Sequence, residues 1–196
     1  VMDEMAASSK ICNNLHLPMQ AGSDKVLKDM NRRYDRARYL SLIEELRKRM
    51  PDIGITTDIM VGFPTETEED FNDTLYIVKK VRFSNAFTFI YSPRKGTPAA
   101  KMEQIPYAIK QERISRLISL QNSITKEISD TYTGGVYEVL CEDVAPKHDG
   151  KVCGRTESGR LVTFDGTKED IGKFFNIKIT QSRSASLFGT KEGEVL

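Results

Sequence analysis

The chain has 196 residues, with 29 lysines and arginines against 28 aspartates and glutamates, so its formal net charge at neutral pH is +1. A net charge this close to zero excludes recognition of nucleic acid or of an anionic membrane through the overall charge of the protein. The sequence has no apolar run of the roughly 18 to 20 residues that a membrane-spanning helix needs, so we expect no contact with a membrane. The length suits one large domain or two small ones.

The three cysteines, Cys12, Cys141 and Cys153, are too widely spaced to form a disulfide framework or a CxxC metal motif. Their number and spacing are typical of reduced thiols in a cytoplasmic protein, and we assign no metal ligand to them. The first ten residues are polar and carry no signal-peptide pattern. The chain begins with valine instead of methionine, and we expect it to be a piece of a longer protein.

The first two thirds of the chain alternate between strand-like and helix-like segments. A short apolar segment at Leu15–Met19 precedes a helical turn capped by Ser23, and a longer helix follows. The β-branched run Ile53–Val61 and the segment Ala86–Tyr91 are predicted strands, and a capping box at residues 67–70 opens the helix between them. Strands that alternate with helices at this interval indicate βα units around a parallel sheet.

The pattern changes after a long helix, which we predict from Pro106 to about Tyr132 and which Gly134 and Gly135 end. A charge interrupts the apolar stripe of this helix, whose predicted buried face comprises Ile109, Arg113, Leu117, Leu120, Ile124 and Ile128. Short strands are then predicted over 136–144, 159–164, 174–180 and 186–189, a spacing typical of a small antiparallel barrel. We therefore predict an α/β domain over residues 1–132 and a β-barrel domain over residues 133–196.

Loops that contain glycine and polar side chains follow each of the three predicted parallel strands. The carboxyl ends of parallel strands meet at one edge of a sheet, so three such loops predict a ligand pocket there. An ordinary tight βα turn is the alternative at each loop. The candidate binding residues in these loops are Gln20, Ser23, Gly62, Glu66, Tyr91 and Arg94.

Two titratable residues lie inside the predicted strands. Asp58 is in the second strand, where an unpaired carboxylate would be costly, so it is either a hydrogen-bonded structural residue or part of the pocket. We expect His16 to be a satisfied core histidine instead of a catalytic base. The sequence has no Walker loop, GxSxG or HExxH motif, and we assign no catalytic residue in this chain.

Three long segments resemble one known family. The segments Leu15–Asn31 (LHLPMQAGSDKVLKDMN), Thr57–Phe71 (TDIMVGFPTETEEDF) and Ala86–Ala100 (AFTFIYSPRKGTPAA) closely resemble the methylthiotransferase branch of the radical S-adenosylmethionine (SAM) enzymes. The last 62 residues resemble the TRAM domain that ends those proteins, a small OB-like barrel associated with RNA binding. The resemblance implies that the first domain is the second half of a (β/α) radical SAM barrel.

The amino-acid sequence of the third segment is most similar to the corresponding segment of the MiaB-type methylthiotransferases. That resemblance implies a cytoplasmic enzyme that adds a methylthio group to isopentenyl adenosine beside the anticodon of tRNA, with the anticodon stem-loop as its partner. Two related branches act on threonylcarbamoyl adenosine of tRNA or on a ribosomal protein, and they are the enzymatic alternatives. A non-catalytic RNA-binding module is the alternative from another class.

The resemblance also implies cofactors that this chain cannot hold alone. Family members bind SAM and two [4Fe–4S] clusters, whose cysteines belong to a CxxxCxxC motif and to an N-terminal domain that are both absent from this sequence. The clusters therefore belong to the missing N-terminal part, and this chain alone is expected to be inactive and prone to dimerise. Gln20, Ser23, Asp58, Gly62 and Glu66 are the implied SAM contacts, and Tyr91 and Arg94 lie on the adenine side.

The barrel domain is not basic, although the resemblance links it to RNA. Residues 133–196 contain 9 lysines and arginines against 10 aspartates and glutamates, a net charge of about −1. Affinity for RNA depends largely on neutralising phosphates, so a local patch must supply the cations. Aromatic side chains such as Phe164 are candidates for stacking on bases. The candidate cations are Arg155, Arg160, Lys178 and Arg183.

Overall fold

A parallel sheet and a closed barrel form the two β-structures of this mixed α/β chain, of which the computed structural model describes residues 1–146 and 148–195. The chain divides into two compact units. The sheet unit comprises residues 15–51 and 55–124, and the barrel unit comprises residues 1–14, 52–54 and 125–196. The domain boundary after residue 132 stays a prediction.

The sheet has the strand order β1 (Asn14–His16), β2 (Gly54–Val61) and β3 (Asn85–Ile90). Strands β2 and β3 are parallel, with Asp58 opposite Phe87, which confirms the predicted parallel arrangement. The first strand is shorter than predicted: it ends at His16, and Gln20 further along the chain pairs with Ile59 through an isolated bridge.

The helices of the sheet unit are α2 (Asp24–Asp29), α3 (Arg36–Arg49), α4 (Glu68–Val81) and the first part of α5 (Tyr107–Asp130), while α1 (Met2–Ala7) belongs to the barrel unit. Helix α4 has the predicted capping box, in which the Thr67 hydroxyl accepts from the Asp70 amide and the Asp70 carboxylate accepts from the Thr67 amide. A short 3-10 helix, Pro98–Lys101, follows β3.

One face of the sheet is buried and the other is open within this unit. Along β2, Ile55, Ile59 and Val61 are buried, whereas the alternating residues on the other face are half-buried. The side chains of Phe87 and Phe89 on β3 are each 51% exposed. This open face of the sheet is therefore lined partly by large aromatic side chains.

The buried face of helix α5 shares Arg113, Leu117 and Ile124 with the predicted face but differs from it elsewhere. The predicted Ile109 is 42% exposed, whereas its neighbour Lys110 is buried. The side chains that the sheet-unit part of α5 buries are Lys110, Arg113, Leu117, Gln121 and Ile124. Apart from Arg113, the prediction contained only apolar residues, so it missed the buried polar side chains of Lys110 and Gln121, which have hydrogen-bond partners in the fold.

The barrel has five strands in the closed order β4 (Val136–Val144), β5 (Lys151–Thr156), β6 (Leu161–Asp165), β8 (Leu187–Glu194) and β7 (Phe174–Ser182). Strand β5 was absent from the sequence prediction, because its charged residues and a glycine interrupt the strand pattern. Strands β6 and β8 are parallel, so the barrel is mixed and not wholly antiparallel as predicted. Its core comprises Val139, Cys141, Val152, Val162, Phe164, Phe175, Ile177, Ile179 and Leu187.

Candidate functional site

The loop between β2 and α4 folds back on its own start. Gly62 has a φ of 76°, a left-handed conformation that favours glycine, and its amide donates to Glu66 Oε1 over 2.9 Å. The Glu66 amide in turn donates to the Phe63 carbonyl over 2.8 Å. The Glu66 side chain is only 1% exposed, so a carboxylate is buried at the carboxyl end of the central strand.

An arginine from α5 holds this carboxylate. Arg113 Nη1 lies 2.8 Å from Glu66 Oε1 and 3.2 Å from the Glu66 carbonyl oxygen, and the Arg113 side chain is 6% exposed. Burial raises the pKa of Glu66, and the hydrogen bond from Gly62 and the charge of Arg113 oppose that rise. Glu66 therefore braces the loop with one oxygen.

Several buried polar atoms beside this brace have no hydrogen-bond partner within residues 1–146 and 148–195. They include Thr65 Oγ1, Glu66 Oε2 and the Tyr91 hydroxyl. A buried polar atom without a partner costs about 1–3 kcal/mol, so these atoms are candidates for contact with a polar ligand. The Tyr91 ring packs against Phe63, with ring centroids 5.2 Å apart, which places the two strand-end loops side by side.

Lys110 completes this side of the site. Its Nζ lies 5.4 Å from the centroid of the Tyr91 ring and 3.4 Å from the Tyr91 carbonyl oxygen. Desolvation lowers the pKa of Lys110, and the nearby Glu66 opposes that change. A Cβ on Gly62 would lie 2.6 Å from Lys110 Cγ, so glycine is required there by close packing as well as by φ. Sequence reasoning missed Lys110, since no local pattern connects it with the strand-end loops.

The loop after β1 is tied to α4. The Ser23 hydroxyl donates to Asp70 Oδ1 over 2.6 Å and accepts from the Val26 amide as the cap of α2. Lys25 Nζ donates to Asp70 Oδ2 over 2.8 Å and to the Thr65 carbonyl over 2.6 Å, which joins this loop to the β2–α4 loop. Burial would raise the pKa of Asp70, but hydrogen bonds from Lys25, Ser23 and Thr67 outweigh it and lower the pKa to about 2.

The remaining predicted contacts lie apart from the brace. Gln20 has a φ of 65° and pairs with β2 through its backbone. Asp58 lies on the open face of the sheet, with its Oδ1 3.5 Å from His16 Nε2, and Thr56 Oγ1 is 2.9 Å from His16 Nδ1. His16 is exposed, so its expected place in the core was wrong, although both ring nitrogens have neighbours. Arg94 lies exposed in the loop after β3.

The structure thus brings Gly62, Glu66 and Tyr91 together in one site and joins Ser23 to it through Lys25. It adds Lys110 and Arg113 from α5. The roles of all the predicted SAM contacts stay predictions. The interruption of the apolar stripe by Arg113 was the sequence signal that could have identified the brace, because a charge at a buried helix position needs a partner.

The four candidate cations of the barrel unit have different surroundings. Arg155 Nε lies 3.2 Å from Glu142 Oε2, and Lys178 Nζ lies 4.0 Å from a carboxylate oxygen of Glu192. Arg160 is only 7% exposed and donates to Ser129, and burial lowers the pKa of its guanidinium, so it does not lie on an exposed patch.

Arg183 is exposed, with its guanidinium carbon 4.8 Å from the centroid of the Phe188 ring. Phe164 is fully buried in the barrel core, so its suggested role in stacking on bases was wrong.

The described part of the chain contains no group of three or more histidine, cysteine or acidic residues that could hold a metal ion. Cys12 is exposed, Cys141 is buried and Cys153 is half-buried. These thiols do not form a ligand set for a [4Fe–4S] cluster, which needs several thiolates at one site. Among residues 1–146 and 148–195, no helix combines the length and apolar character required to span a membrane.

Comparison with known proteins identifies both parts of the chain. The family model described as the Radical SAM superfamily matches residues 1–76, and the TRAM domain model matches residues 130–191. The chain contains a radical SAM segment and a TRAM domain. These matches confirm the resemblance on which the sequence interpretation rested.

Curated relatives are similar along nearly the whole chain. A protein of Acetivibrio thermocellus is 51% identical over 187 residues, which are 95% of this chain and 39% of the relative. A protein of Alkaliphilus oremlandii is 49% identical over 96% of this chain, which is 40% of the relative's length. A protein of Carboxydothermus hydrogenoformans is 48% identical over 96% of this chain, which is 43% of the relative's length. All three are named tRNA-2-methylthio-N(6)-dimethylallyladenosine synthase. The chain spans about two fifths of the length of these relatives.

Proposed function

We propose that this chain is part of an enzyme that adds a methylthio group to isopentenyl (dimethylallyl) adenosine next to the anticodon of tRNA. The observation that carries the proposal is about 50% identity, over 95% or more of the chain, to relatives that bear the name of that activity. The radical SAM segment and the TRAM domain agree with such an enzyme. The chain alone lacks cluster ligands and is inactive in this proposal.

The two parts of the chain also have defined places in the proposed enzyme. In the proposal, the sheet is the second half of a (β/α) radical SAM barrel, and the missing N-terminal part of the same protein supplies the other strands and both [4Fe–4S] clusters. Residues 1–132 then belong to the radical SAM domain and residues 133–196 to an OB-like TRAM barrel. The strand order and the single parallel pair, β6 with β8, support a five-stranded barrel of this kind.

The site around Gly62 is the proposed SAM-binding part of this chain. Lys110 packs into the space beside Gly62, and next to this packed loop Glu66 Oε2 and the Tyr91 hydroxyl are buried atoms without partners among the described residues. These features fit a ligand with hydroxyl, ammonium and adenine groups. When bound, SAM supplies the radical and methyl chemistry. This chain's residues orient the ligand and exclude water from it.

Roles for the other proposed contacts follow from their positions. Gln20 and Ser23 act through the loop after β1, Asp58 acts from the open face of the sheet, and Arg94 contacts the adenine side. The partner is the anticodon stem-loop of tRNA in the cytoplasm. Since Phe87 and Phe89 are exposed on the open face, we also propose that this chain dimerises when it is separated from the rest of the protein.

The test uses the longer protein that contains this chain, with its clusters reconstituted anaerobically. It is incubated with SAM, a reductant and unmodified or isopentenylated tRNA, and the nucleosides are analysed by mass spectrometry. The expected product is the 2-methylthio derivative of isopentenyl adenosine. If the protein instead modified threonylcarbamoyl adenosine or a ribosomal protein, the proposed substrate would be wrong. Binding of tRNA without any modification would indicate a non-catalytic module.

A further inference from the structure

Several cations on the surface of the barrel unit are paired with carboxylates of the same unit. Lys151 Nζ lies 2.8 Å from Asp165 Oδ1, and Lys191 Nζ lies 3.0 Å from Asp170 Oδ2. Arg155 and Lys178 also have carboxylate neighbours, as described above. These cations form surface ion pairs within the protein. A general electrostatic attraction for RNA is therefore a poor explanation for binding by a unit with this charge balance.

Arg183 differs from those cations. In the described part of the chain, its guanidinium has no carboxylate or other hydrogen-bond partner, and it is exposed. It lies over Phe188 at 4.8 Å, within the range in which a ring face attracts a cation. A guanidinium held in this way keeps its planar surface and its hydrogen-bond donors available to a ligand.

A third planar side chain reaches the same ring from another loop. The His148 ring meets Phe188 edge-on, with centroids 5.6 Å apart and an interplanar angle of 83°. Both residues make backbone hydrogen bonds: the Arg183 amide donates to the Ser186 carbonyl over 2.8 Å, and the His148 amide donates to the Ala145 carbonyl over 3.2 Å. The three side chains form one surface cluster between the β4–β5 and β7–β8 loops.

We infer that Arg183, Phe188 and His148 form a stacking site for an unpaired nucleobase of RNA. Unpaired bases stack on aromatic rings and on arginine planes, and this contact needs far less net positive charge than a phosphate-binding groove. The inference rests on the proposed function only in taking RNA as the partner. It explains how a barrel with a net charge of about −1 contributes to RNA recognition.

The cluster predicts a different behaviour from that of the wider basic patch. Loss of Phe188 should remove stacking and leave the number of phosphate contacts unchanged. Loss of the Arg183 charge should reduce both affinity and its dependence on salt. Arg155 and Lys178, which have carboxylate neighbours, should matter little, so they provide matched controls on the same unit.

The experiment measures fluorescence anisotropy of a labelled single-stranded RNA of about 12 nucleotides, a length within the usual footprint of such barrels. The full chain is compared with Phe188→Leu, Arg183→Gln, His148→Ala and the controls Arg155→Gln and Lys178→Gln. Stacking is worth about 1–3 kcal/mol per base, so Phe188→Leu should weaken binding by about 5- to 150-fold with an unchanged salt slope. Arg183→Gln should lower that slope by about 0.7, and the controls should stay within about twofold.

A second probe separates bases from phosphates. An RNA of the same length with abasic positions should bind the unsubstituted chain about as weakly as normal RNA binds Phe188→Leu. Equal binding of both RNAs, no binding of either, or unchanged binding by Phe188→Leu would overturn the inference. Phe188-dependent binding of an acidic peptide at equal affinity would overturn it as well.

Circular dichroism establishes that each variant is folded. If Phe188→Leu unfolds, Arg183→Gln and His148→Ala decide the question. The binding experiment tests the stacking site separately from the proposed reaction. Modification of tRNA by the longer protein, with RNA binding insensitive to Phe188, would overturn the stacking site alone. Phe188-dependent binding without any modification would leave the stacking site standing and overturn the proposed function.

Discussion

The buried pair of Glu66 and Arg113 provides the sharpest test of the site. The substitution Arg113→Met removes the guanidinium but keeps the unbranched apolar stem, so among the described residues the Glu66 carboxylate keeps the Gly62 amide as its partner. Breaking one side of a buried ion pair typically costs about 3–5 kcal/mol, because the remaining charge is uncompensated. We expect a loss of about 3 kcal/mol in the free energy of unfolding at pH 7, since protonation of Glu66 relieves part of the cost.

The assay is urea unfolding followed by far-ultraviolet circular dichroism. Arg116→Met is the control, because Arg116 pairs with Glu68 over 2.7 Å at a site 40% exposed, where an ion pair contributes at most about 1 kcal/mol. The double variant Glu66→Gln/Arg113→Met should be more stable than the sum of the single effects predicts. A loss of less than about 1 kcal/mol for Arg113→Met, or additive effects, would refute the assignment of a buried brace.

The pH dependence gives an independent check. Burial raises the folded-state pKa of Glu66 above its usual 4.5, so its ionisation removes stability as the pH rises through the folded value. Without Arg113 the carboxylate loses one of the groups that oppose this rise. The cost of Arg113→Met should therefore grow as the pH rises above 4.5. The smaller effect of Arg116→Met should be fully present at pH 4.5 and shrink below it, because the hydrogen bond from Arg116 lowers the pKa of Glu68.

Three further predictions concern the same unit. The pKa of Asp70 is lowered from 3.8 to about 2, so Asp70→Asn should cost about 2 kcal/mol at neutral pH, and this difference should disappear as the pH falls from about 4 to 2 in urea titrations. In the longer protein, Gly62→Ala should weaken SAM binding measured by calorimetry. Gly96→Ala should not, because Gly96 has a similar positive φ but open space where a Cβ would lie. Equal effects of the two substitutions would contradict a role for close packing. Replacing Phe87 and Phe89 by serine should shift this chain from dimer to monomer in sedimentation, and a monomeric unsubstituted chain would contradict the proposed dimer.

Local signals predicted most of the sheet unit. The capping box at Thr67 and the β-branched run of β2 depend on neighbouring residues, so they could be recognised without the fold. The face of α5 could not, because the choice between Ile109 and Lys110 as the buried residue depends on what packs against the helix. The parallel pairing of β6 with β8 likewise depends on chain closure, which no strand pattern contains.

In the candidate site, too, the features that depend on neighbouring residues could be predicted and those that depend on distant residues could not. Glycine and polar residues after each strand identified the loops at Gly62 and Tyr91. The groups that hold those loops come from α5, and Arg113 stands 47 residues beyond Glu66 in the chain. A single sequence shows only that Arg113 interrupts an apolar stripe. It does not show which carboxylate is the partner.

The brace changes what Glu66 can contribute to binding. Its Oε1 accepts from both the Gly62 amide and Arg113, so only Oε2 remains for a ligand. Glu66 was predicted to be a contact for a ligand, but here most of its hydrogen-bonding capacity shapes the loop. Because the same oxygen joins Gly62 to α5, any ligand that approaches the Gly62 backbone meets a loop whose conformation is already fixed. The geometry of Glu66 therefore favours a positioning role over direct contact with a ligand.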